Sequence, residues 1–190
     1  MDDNGLVEIR WHGRGGQGAV TSAELLARAA IEEGKYAQAF PAFGAERRGA
    51  PVLAFDRIDS RKPIRVRAEV DEPDVVVVLD SGLLSIVNVT SGLKEKGTLI
   101  INTRKNLEEI ESDIGNKWRL AIIDGTKIAH EILGVNIVNT TMLGALIKAT
   151  GVVKKESLYE PLKHRFGRMA ERNINAMNKA FEVTVVKEKG

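Results

Sequence analysis

The sequence predicts an α/β fold: a single three-layer domain with a mostly parallel, mixed sheet, an antiparallel hairpin and a helical C-terminus. Strand-like apolar runs alternate with helical segments up to residue 124, which favours right-handed crossovers and a mainly parallel sheet. From residue 126 onward the periodicity is helical only. The 190 residues are 43% hydrophobic and 28% charged without a composition break, so we expect one domain over residues 1–190.

The first half of the chain is predicted to begin with a strand and a helix joined by glycines. The helix covers residues 19–33, and Gly34 is a suitable stop. In residues 63–70 apolar and charged side chains alternate, so this segment and residues 51–59 are expected to form an antiparallel hairpin with one solvated face. The strands predicted in this half cover residues 6–12, 36–40, 51–59 and 63–70.

The second half alternates between buried strands and helices. Residues 74–80 contain the continuous apolar run from Val75 to Leu79, which predicts a central strand covered on both faces. Further strands are predicted over residues 97–102 and 118–124. Helices are predicted over residues 81–93, 107–114, 128–133, 140–150, 155–166 and 170–181.

Composition argues against several classes of protein. The formal net charge is +2 and the basic residues are scattered, so no nucleic-acid partner is expected. No apolar run approaches the roughly 20 residues of a membrane span, and the N-terminus lacks a signal pattern, so we expect a cytoplasmic protein without membrane contact. The absence of cysteine excludes disulfides and cysteine-ligated clusters. His12, His130 and His164 lie far apart, so no metal site is predicted.

The first candidate site is the glycine loop between the first strand and the first helix. Its residues are Gly13, Arg14, Gly15, Gly16, Gln17 and Gly18. Glycines here let backbone N–H groups approach an anion at the helix N-terminus, so the N–H groups of residues 15–18 are expected to face outward. The formal GxGxxG pattern indicates a dinucleotide, but the acid required on the second strand is absent from residues 36–40. A tight turn without a ligand remains the alternative.

The second candidate site is the loop over residues 40–51, which is rich in aromatic and charged side chains. Exposed aromatics suggest a contact surface, and paired arginines suit a carboxylate or a phosphate. Alternatively, Glu46 pairs with an arginine and the aromatics cover the core. The candidate interface or ligand residues are Phe40, Pro41, Phe43, Gly44, Glu46, Arg47, Arg48 and Gly49.

Two aspartates follow apolar strands and offer weaker candidates. Asp80 and Asp124 occupy positions where open α/β sheets place functional groups, yet an aspartate there more often caps the following helix, and we favour capping. Asp124 and Gly125 also match part of a thiamine diphosphate motif. The preceding glycine is absent and Asn139 lies at the wrong spacing, so no thiamine site is predicted.

Taken together, these motifs resemble the gamma subunits of 2-oxoacid:ferredoxin oxidoreductases, which correspond to a domain of the single-chain pyruvate:ferredoxin enzymes. The stretches that carry the resemblance are residues 9–19, 38–55, 73–84 and 139–145. They contain the GRGGQG loop and the PAFGAERRGAPV loop at the family's separation. Residues 46–51 resemble the form found in pyruvate enzymes, whereas members that act on 2-oxoglutarate or aryl-pyruvates resemble Glu-Met-Arg-Gly-Gly. The resemblance therefore implies pyruvate, with 2-oxoisovalerate or 2-oxoglutarate as the alternative.

The resemblance implies a subunit of an oxidoreductase with no catalytic residue of its own. Such complexes use thiamine diphosphate, magnesium, iron–sulfur clusters and coenzyme A on or with other subunits, so this chain alone is expected to bind none of these cofactors. The implied partners are the alpha, beta and ferredoxin-like delta subunits, with ferredoxin as the electron acceptor.

Three hypotheses describe the chain's own contribution. In the first, the chain supports the catalytic subunits through the loop over residues 40–51. In the second, its glycine loop, with Arg14 and Arg47 or Arg48, holds the anionic part of coenzyme A. The third hypothesis is a free-standing dinucleotide-dependent oxidoreductase, against which the missing ribose-binding acid counts.

Overall fold

A computed structural model describes residues 5–42 and 49–189, and these residues build a sheet between two layers. The strands are β1 Leu6–Arg14, β2 Tyr36–Pro41, β3 Pro51–Asp59, β4 Val75–Val78, β5 Thr98–Asn102, β6 Arg119–Ile123 and β7 Val185–Lys187. The α-helices are α1 Ala19–Glu32, α2 Leu107–Ile114, α3 Gly125–Leu133, α4 Asn139–Thr150, α5 Tyr159–Phe166 and α6 Ala170–Val183. Turns of 3₁₀-helix cover Ser81–Ser85, Lys155–Leu158 and Gly167–Met169.

The sheet is mixed, and its strand order is β2-β3-β1-β4-β5-β6-β7. Strands β1, β4, β5 and β6 run parallel to one another, whereas β3 runs antiparallel to both β1 and β2, and β7 runs antiparallel to β6. The predicted α/β class with a mostly parallel, mixed sheet is confirmed. The short edge strand β7 was not predicted.

Strand β4 lies at the centre and is covered on both faces, as its apolar sequence predicts. Val75 and Val77 pack into the core that includes residues of α1, α3, α4 and α6. Val76 and Val78 pack into a second core with Leu83 and Ile110 of the opposite layer. Because successive side chains of a strand point to opposite faces, a strand between two layers must be apolar at every position.

Helices α4 and α6 pack closely and in parallel. Thr140 Oγ1, in the first turn of α4, donates a hydrogen bond of 2.9 Å to Asn173 Oδ1 in the first turn of α6. One turn further along both helices, a Cβ on Gly144 would lie 2.2 Å from the carbonyl oxygen of Met177. Only glycine fits there, and the N-termini of the two helices therefore lie side by side.

The predicted hairpin of residues 51–59 with 63–70 is wrong in its second strand. The observed hairpin joins β2 to β3, and residues 63–70 form an irregular segment without ladder pairing to a described strand. Side chains from the sheet bind this segment instead: Arg57 donates to the carbonyls of Ala68 and Glu69 at 2.7 and 3.2 Å, and Arg10 donates to that of Val70 at 3.3 Å. Alternating hydrophobicity predicted a strand here but could not reveal that two arginines of the sheet bind this segment in place of a neighbouring strand.

The predicted helix over residues 81–93 is also wrong, because only Ser81–Ser85 is helical, as a 3₁₀ turn. The carbonyl oxygens of Val89 and Ser91 accept hydrogen bonds from Arg10 instead of from a helical backbone. Gly92 has a φ of +70° and lies against the carbonyl of Asp71, where a Cβ would approach to 2.0 Å. Buried arginine binding and close backbone packing thus outweigh the helical pattern in this segment.

Candidate functional site

The glycine loop lies at the carboxyl end of β1 and leads directly into α1. Gly16 and Gly18 have φ values of +92° and +87°, a conformation that side chains other than glycine rarely adopt. The N–H of Gly15 donates to the carbonyl of Ala50 at 2.9 Å, and that of Gln17 donates to the carbonyl of Arg14 at 2.9 Å. The expectation that all four N–H groups face outward is therefore wrong for Gly15 and Gln17, which have partners within the protein.

Arg14 and Gln17 of this loop both bind Asp80, which follows β4. The Arg14 Nε donates to Asp80 Oδ2 at 2.8 Å, and Gln17 Nε2 donates to the same oxygen at 3.1 Å. The other carboxylate oxygen accepts the N–H of Gly82 at 2.8 Å, so the predicted capping role is confirmed. Burial acts to raise the pKa of Asp80, but hydrogen bonds from Gly82, Arg14 and Gln17 outweigh it and hold this pKa below its ordinary value.

The Arg14–Asp80 pair lies at the point of the sheet where the direction of the crossovers changes. After β1 the chain enters α1 on one face, whereas after β4 it enters the 3₁₀ turn that packs on the opposite face. Open α/β sheets bind ligands in the crevice at such a point. Here Arg14 and Gln17 bridge the crevice, because both donate hydrogen bonds to Asp80.

A cleft of about 650 Å³ continues from this pair along the carboxyl ends of β4, β5 and β6. Its wall is organised by Asn102, a residue that the sequence reasoning missed. Asn102 Nδ2 donates to the carbonyl of Leu79 at 2.9 Å, and its Oδ1 accepts the N–H of Gly125 at 2.9 Å. Asp124 accepts the N–H of Lys127 at 2.9 Å, so its predicted capping role is confirmed as well.

The two candidate loops meet at the end of β1. Gly49 donates its N–H to the carbonyl of Gly15 at 3.2 Å, and the Gly49 carbonyl accepts a hydrogen bond from Arg14 Nη1 at 3.2 Å. Both candidate segments therefore belong to one surface. The remaining candidates of the second loop lie outside the described residues: Phe43, Gly44, Glu46, Arg47 and Arg48.

Phe40 and Pro41 lie on the edge strand β2. The ring of Phe40 lies 5.3 Å from that of Phe55, and the Arg57 guanidinium lies 5.5 Å from the Phe40 ring centroid. Phe40 is half-buried in these contacts. Its observed packing corresponds to the alternative in which an aromatic residue covers the core.

Asn139 joins the stretch over residues 139–145 to the glycine loop. A Cβ on Gly18 would lie 3.0 Å from the Cβ of Asn139, and Ser22 Oγ donates to the Asn139 carbonyl at 3.3 Å. The side chain of Asn139 accepts the N–H of Thr140 at 2.9 Å. Two stretches that are separated in sequence thus form one packed junction at which α1 and α4 begin.

The buried histidine of β1 serves as a hydrogen-bond acceptor. Burial, and secondarily the charge of Arg10, lowers the pKa of His12 to about 3. Arg10 Nε donates to His12 Nε2 at 3.1 Å, which fits a neutral ring. Within residues 5–42 and 49–189, no group of three or more histidine, aspartate or glutamate side chains could hold a metal ion.

Comparison with known proteins identifies the family. The sequence profile of the pyruvate ferredoxin/flavodoxin oxidoreductase family matches residues 8–183. The chain belongs to this family. Family members with similar sequences include the "Pyruvate/ketoisovalerate oxidoreductases common subunit gamma" of Thermococcus litoralis, which is 58% identical over 96% of this chain and 100% of the relative.

Two further members of the pyruvate ferredoxin/flavodoxin oxidoreductase family are similar to the chain over nearly its full length. The "Pyruvate synthase subunit PorC" of Methanothermobacter thermautotrophicus is 52% identical over 93% of this chain and 95% of the relative. The crystal structure of the pyruvate oxidoreductase subunit PORC from Thermotoga maritima matches with a TM-score of 0.86 and 40% identity, covering 96% of this chain and 99% of that one.

These similarities confirm the expected role as a gamma-type subunit of a pyruvate or 2-oxoacid ferredoxin oxidoreductase. The alternative of a free-standing dinucleotide-dependent oxidoreductase is wrong. The crevice between β1 and β4, which is the position of a dinucleotide in such sheets, is bridged here by the ion pair between Arg14 and Asp80. In the part of the chain that the structure describes, no helix combines the length and apolar character needed to cross a membrane.

Proposed function

We propose that the chain is the accessory gamma-type subunit of a cytoplasmic complex that converts pyruvate, coenzyme A and oxidised ferredoxin to acetyl-CoA, carbon dioxide and reduced ferredoxin. It works with alpha, beta and ferredoxin-like delta subunits. The similarity to subunits named for pyruvate enzymes, at 52–58% identity over nearly the whole chain, carries this proposal. Turnover of pyruvate, 2-oxoisovalerate and 2-oxoglutarate by the reconstituted complex tests it: pyruvate should give the highest rate, and preference for either other acid would contradict it.

The redox and thiamine chemistry belongs to the other subunits. The chain contains no cysteine for a cluster. The thiamine motif is incomplete in this chain, because the preceding glycine is absent and Asn139 lies at the wrong spacing, and Asn102 already accepts the N–H of Gly125. This chain therefore supplies no step that involves thiamine diphosphate.

Coenzyme A binding at the glycine loop is the second part of the proposal. Arg14 directs Nε to Asp80 and Nη1 to the carbonyl of Gly49, whereas Nη2 makes no hydrogen bond to a described residue. Because α1 begins directly after the loop, the positive end of its dipole adds to the charge of Arg14. An anion such as a phosphate of coenzyme A would find a partly exposed, fixed guanidinium there.

The experiment is Arg14→Ala in the reconstituted complex, with Michaelis constants measured separately for coenzyme A and pyruvate. Loss of a charge-assisted contact costs about 1.5–3 kcal/mol, so the constant for coenzyme A should rise roughly tenfold or more while that for pyruvate stays unchanged. Arg28→Ala, on the exposed face of α1, is the matched control. An equal effect on both substrates, or none, would show that the loop is a structural turn.

A second candidate function follows from the name of one relative described above. The Thermococcus litoralis protein is called a common subunit of pyruvate and ketoisovalerate oxidoreductases. By analogy, this chain would serve two complexes that differ in their catalytic subunits. Affinity purification of the tagged chain should then recover two sets of catalytic subunits, and recovery of a single set would exclude sharing.

A further inference from the structure

Three helices begin at one end of the molecule, next to the glycine loop. Ser22 in the first turn of α1 contacts Asn139, the first residue of α4, with 3.3 Å between Oγ and the carbonyl oxygen. Thr140 of α4 in turn contacts Asn173 in the first turn of α6, with 2.9 Å between the two side-chain oxygens. The positive ends of three helix dipoles therefore converge on this surface.

These helix starts are only partly compensated: Asn139 Oδ1 accepts the N–H of Thr140 in α4, and α6 carries Glu171 in its first turn. Among the described residues, no N-cap side chain binds the start of α1, α4 or α6, and α1 and α4 carry no acidic residue in the first turn. Helix N-termini favour side-chain acceptors and negative charge because their first N–H groups have no partner within the helix. The surface is thus electropositive even before its charged side chains are considered.

Two exposed arginines add to this positive charge. Arg168 lies just before α6 and Arg172 lies in its first turn, and neither forms an ion pair with a described residue. The acid between them, Glu171, also forms no ion pair with a described residue. Cations at the start of a helix oppose its dipole, in contrast to the cations in the last turn of α5, which the dipole favours. The dipole of α6 therefore does not stabilise Arg168 and Arg172 at these positions.

Large apolar side chains are exposed in the segments that lead into α6 and α4, the two helices joined by the contact between Thr140 and Asn173. Met169 is 41% exposed and separates Arg168 from α6, and its carbonyl accepts the Asn173 side chain at 2.9 Å. Val135 and Ile137, in the segment that leads into α4, are 45% and 42% exposed. Apolar groups beside arginines are typical of protein interfaces, in which methionine and arginine are enriched.

We propose that this surface, comprising Arg168, Met169, Arg172, Val135 and Ile137, docks an acidic surface of another subunit of the complex. The inference rests on the proposed function, since it requires that the chain work within a complex. Carboxylates of the partner would pair with the two arginines and complement the three dipoles, while the apolar side chains lose their contact with water. The charge that is unfavourable in the isolated chain thereby becomes favourable on assembly.

The test is the double charge reversal Arg168→Glu and Arg172→Glu, compared with Lys96→Glu and Lys117→Glu. The control changes the net charge by the same amount. Lys96 and Lys117 are exposed residues that precede β5 and β6, so they lie at the amino ends of these strands, away from the glycine loop at the carboxyl end of β1. Thermal unfolding of each isolated chain and the dissociation constant for the remaining subunits are measured at low and high salt. Because acids favour a helix start, the arginine variant should unfold at the same or a higher temperature than the wild type.

In the same experiment the arginine variant should bind the other subunits at least about tenfold more weakly, with a smaller dependence on salt, while the control binds as the wild type does. Unchanged assembly would overturn the proposal, as would a lower unfolding temperature, which would indicate a structural role. Binding of the wild-type chain to anionic vesicles or nucleic acid through these arginines, with unaltered assembly, would also overturn it. If the wild-type complex assembles but does not oxidise pyruvate, the proposed function fails while the docking surface stands.

Discussion

Arg14 and Asp80 form an ion pair of 2.8 Å between the carboxyl ends of β1 and β4, although 66 residues separate them in sequence. The pair fixes the glycine loop against the neighbouring strand. The second strand lacks the ribose-binding acid that a GxGxxG dinucleotide site requires, and the carboxylate at this crevice binds the protein's own arginine. The same geometry leaves Arg14 partly exposed at the loop that we propose binds coenzyme A.

Replacing Asp80 tests the contribution of this pair to folding. Asp80→Ala removes both the cap on Gly82 and the partner of Arg14, so the free energy of unfolding should fall by about 1–2 kcal/mol. Asp80→Asn, which retains an acceptor for the cap, should have a smaller effect. Urea denaturation measures both, with Asp113→Ala as the control because its ion pair with Lys105 is exposed. Equal stability of Asp80→Ala and wild type would contradict the assigned role.

The pH dependence of the Asp80 variants should follow from the lowered pKa of this residue. A carboxyl whose pKa is lower in the folded state stabilises the protein above its unfolded pKa, near 3.8, and loses this contribution as the pH falls through the folded value. The difference in unfolding free energy between wild type and Asp80→Asn should therefore shrink below pH 4. If this difference stays constant down to the lowest pH at which the protein remains folded, the stability of the Arg14–Asp80 pair is not linked to the titration of Asp80.

Gly18 and Gly16 provide a matched pair for the junction between the glycine loop and α4. Both have positive φ, so alanine at either position should cost about 1–2 kcal/mol of backbone strain. At Gly18 the new Cβ would also lie 3.0 Å from Asn139, whereas at Gly16 it would meet no atom of a described residue within 4 Å. Gly18→Ala should therefore be less stable than Gly16→Ala by about a further 1 kcal/mol, measured by urea unfolding. Equal losses of stability in the two variants would mean that Asn139 moves aside without an energetic cost.

Asp56 should make the protein less stable as the pH rises. Burial raises the pKa of Asp56 well above its ordinary value despite a hydrogen bond of 2.6 Å from Trp11 Nε1, and among the described residues its Oδ1 has no hydrogen-bond partner. Stability linked to such a group is complete below the unfolded pKa and is lost as the pH rises toward the folded value. Asp56→Asn retains the acceptor for Trp11 and cannot ionise. Its stability relative to wild type should grow from pH 4 upward, and a constant difference would contradict the shift.

The sequence predicts the order of most elements because their patterns are local. The apolar run of β4, the glycine loop before α1 and the α2 segment are found where the periodicity places them. The segments over residues 63–70 and 81–93 were misassigned because buried Arg10 and Arg57 bind their carbonyls, a contact that depends on tertiary packing. For the same reason the partner of Arg14 could not be predicted, although Asp80 and the glycine loop were each identified as candidates.

The role of the chain as an accessory subunit is tested most directly by pyruvate- and coenzyme A-dependent ferredoxin reduction, measured for the chain alone, for the remaining subunits without it, and for the reconstituted complex. The chain alone should be colourless and inactive, because it has neither cluster ligands nor a thiamine site. The remaining subunits should lose most of their turnover without it and regain it on addition of the chain. Turnover by the chain alone, or full activity of the complex without it, would contradict the account.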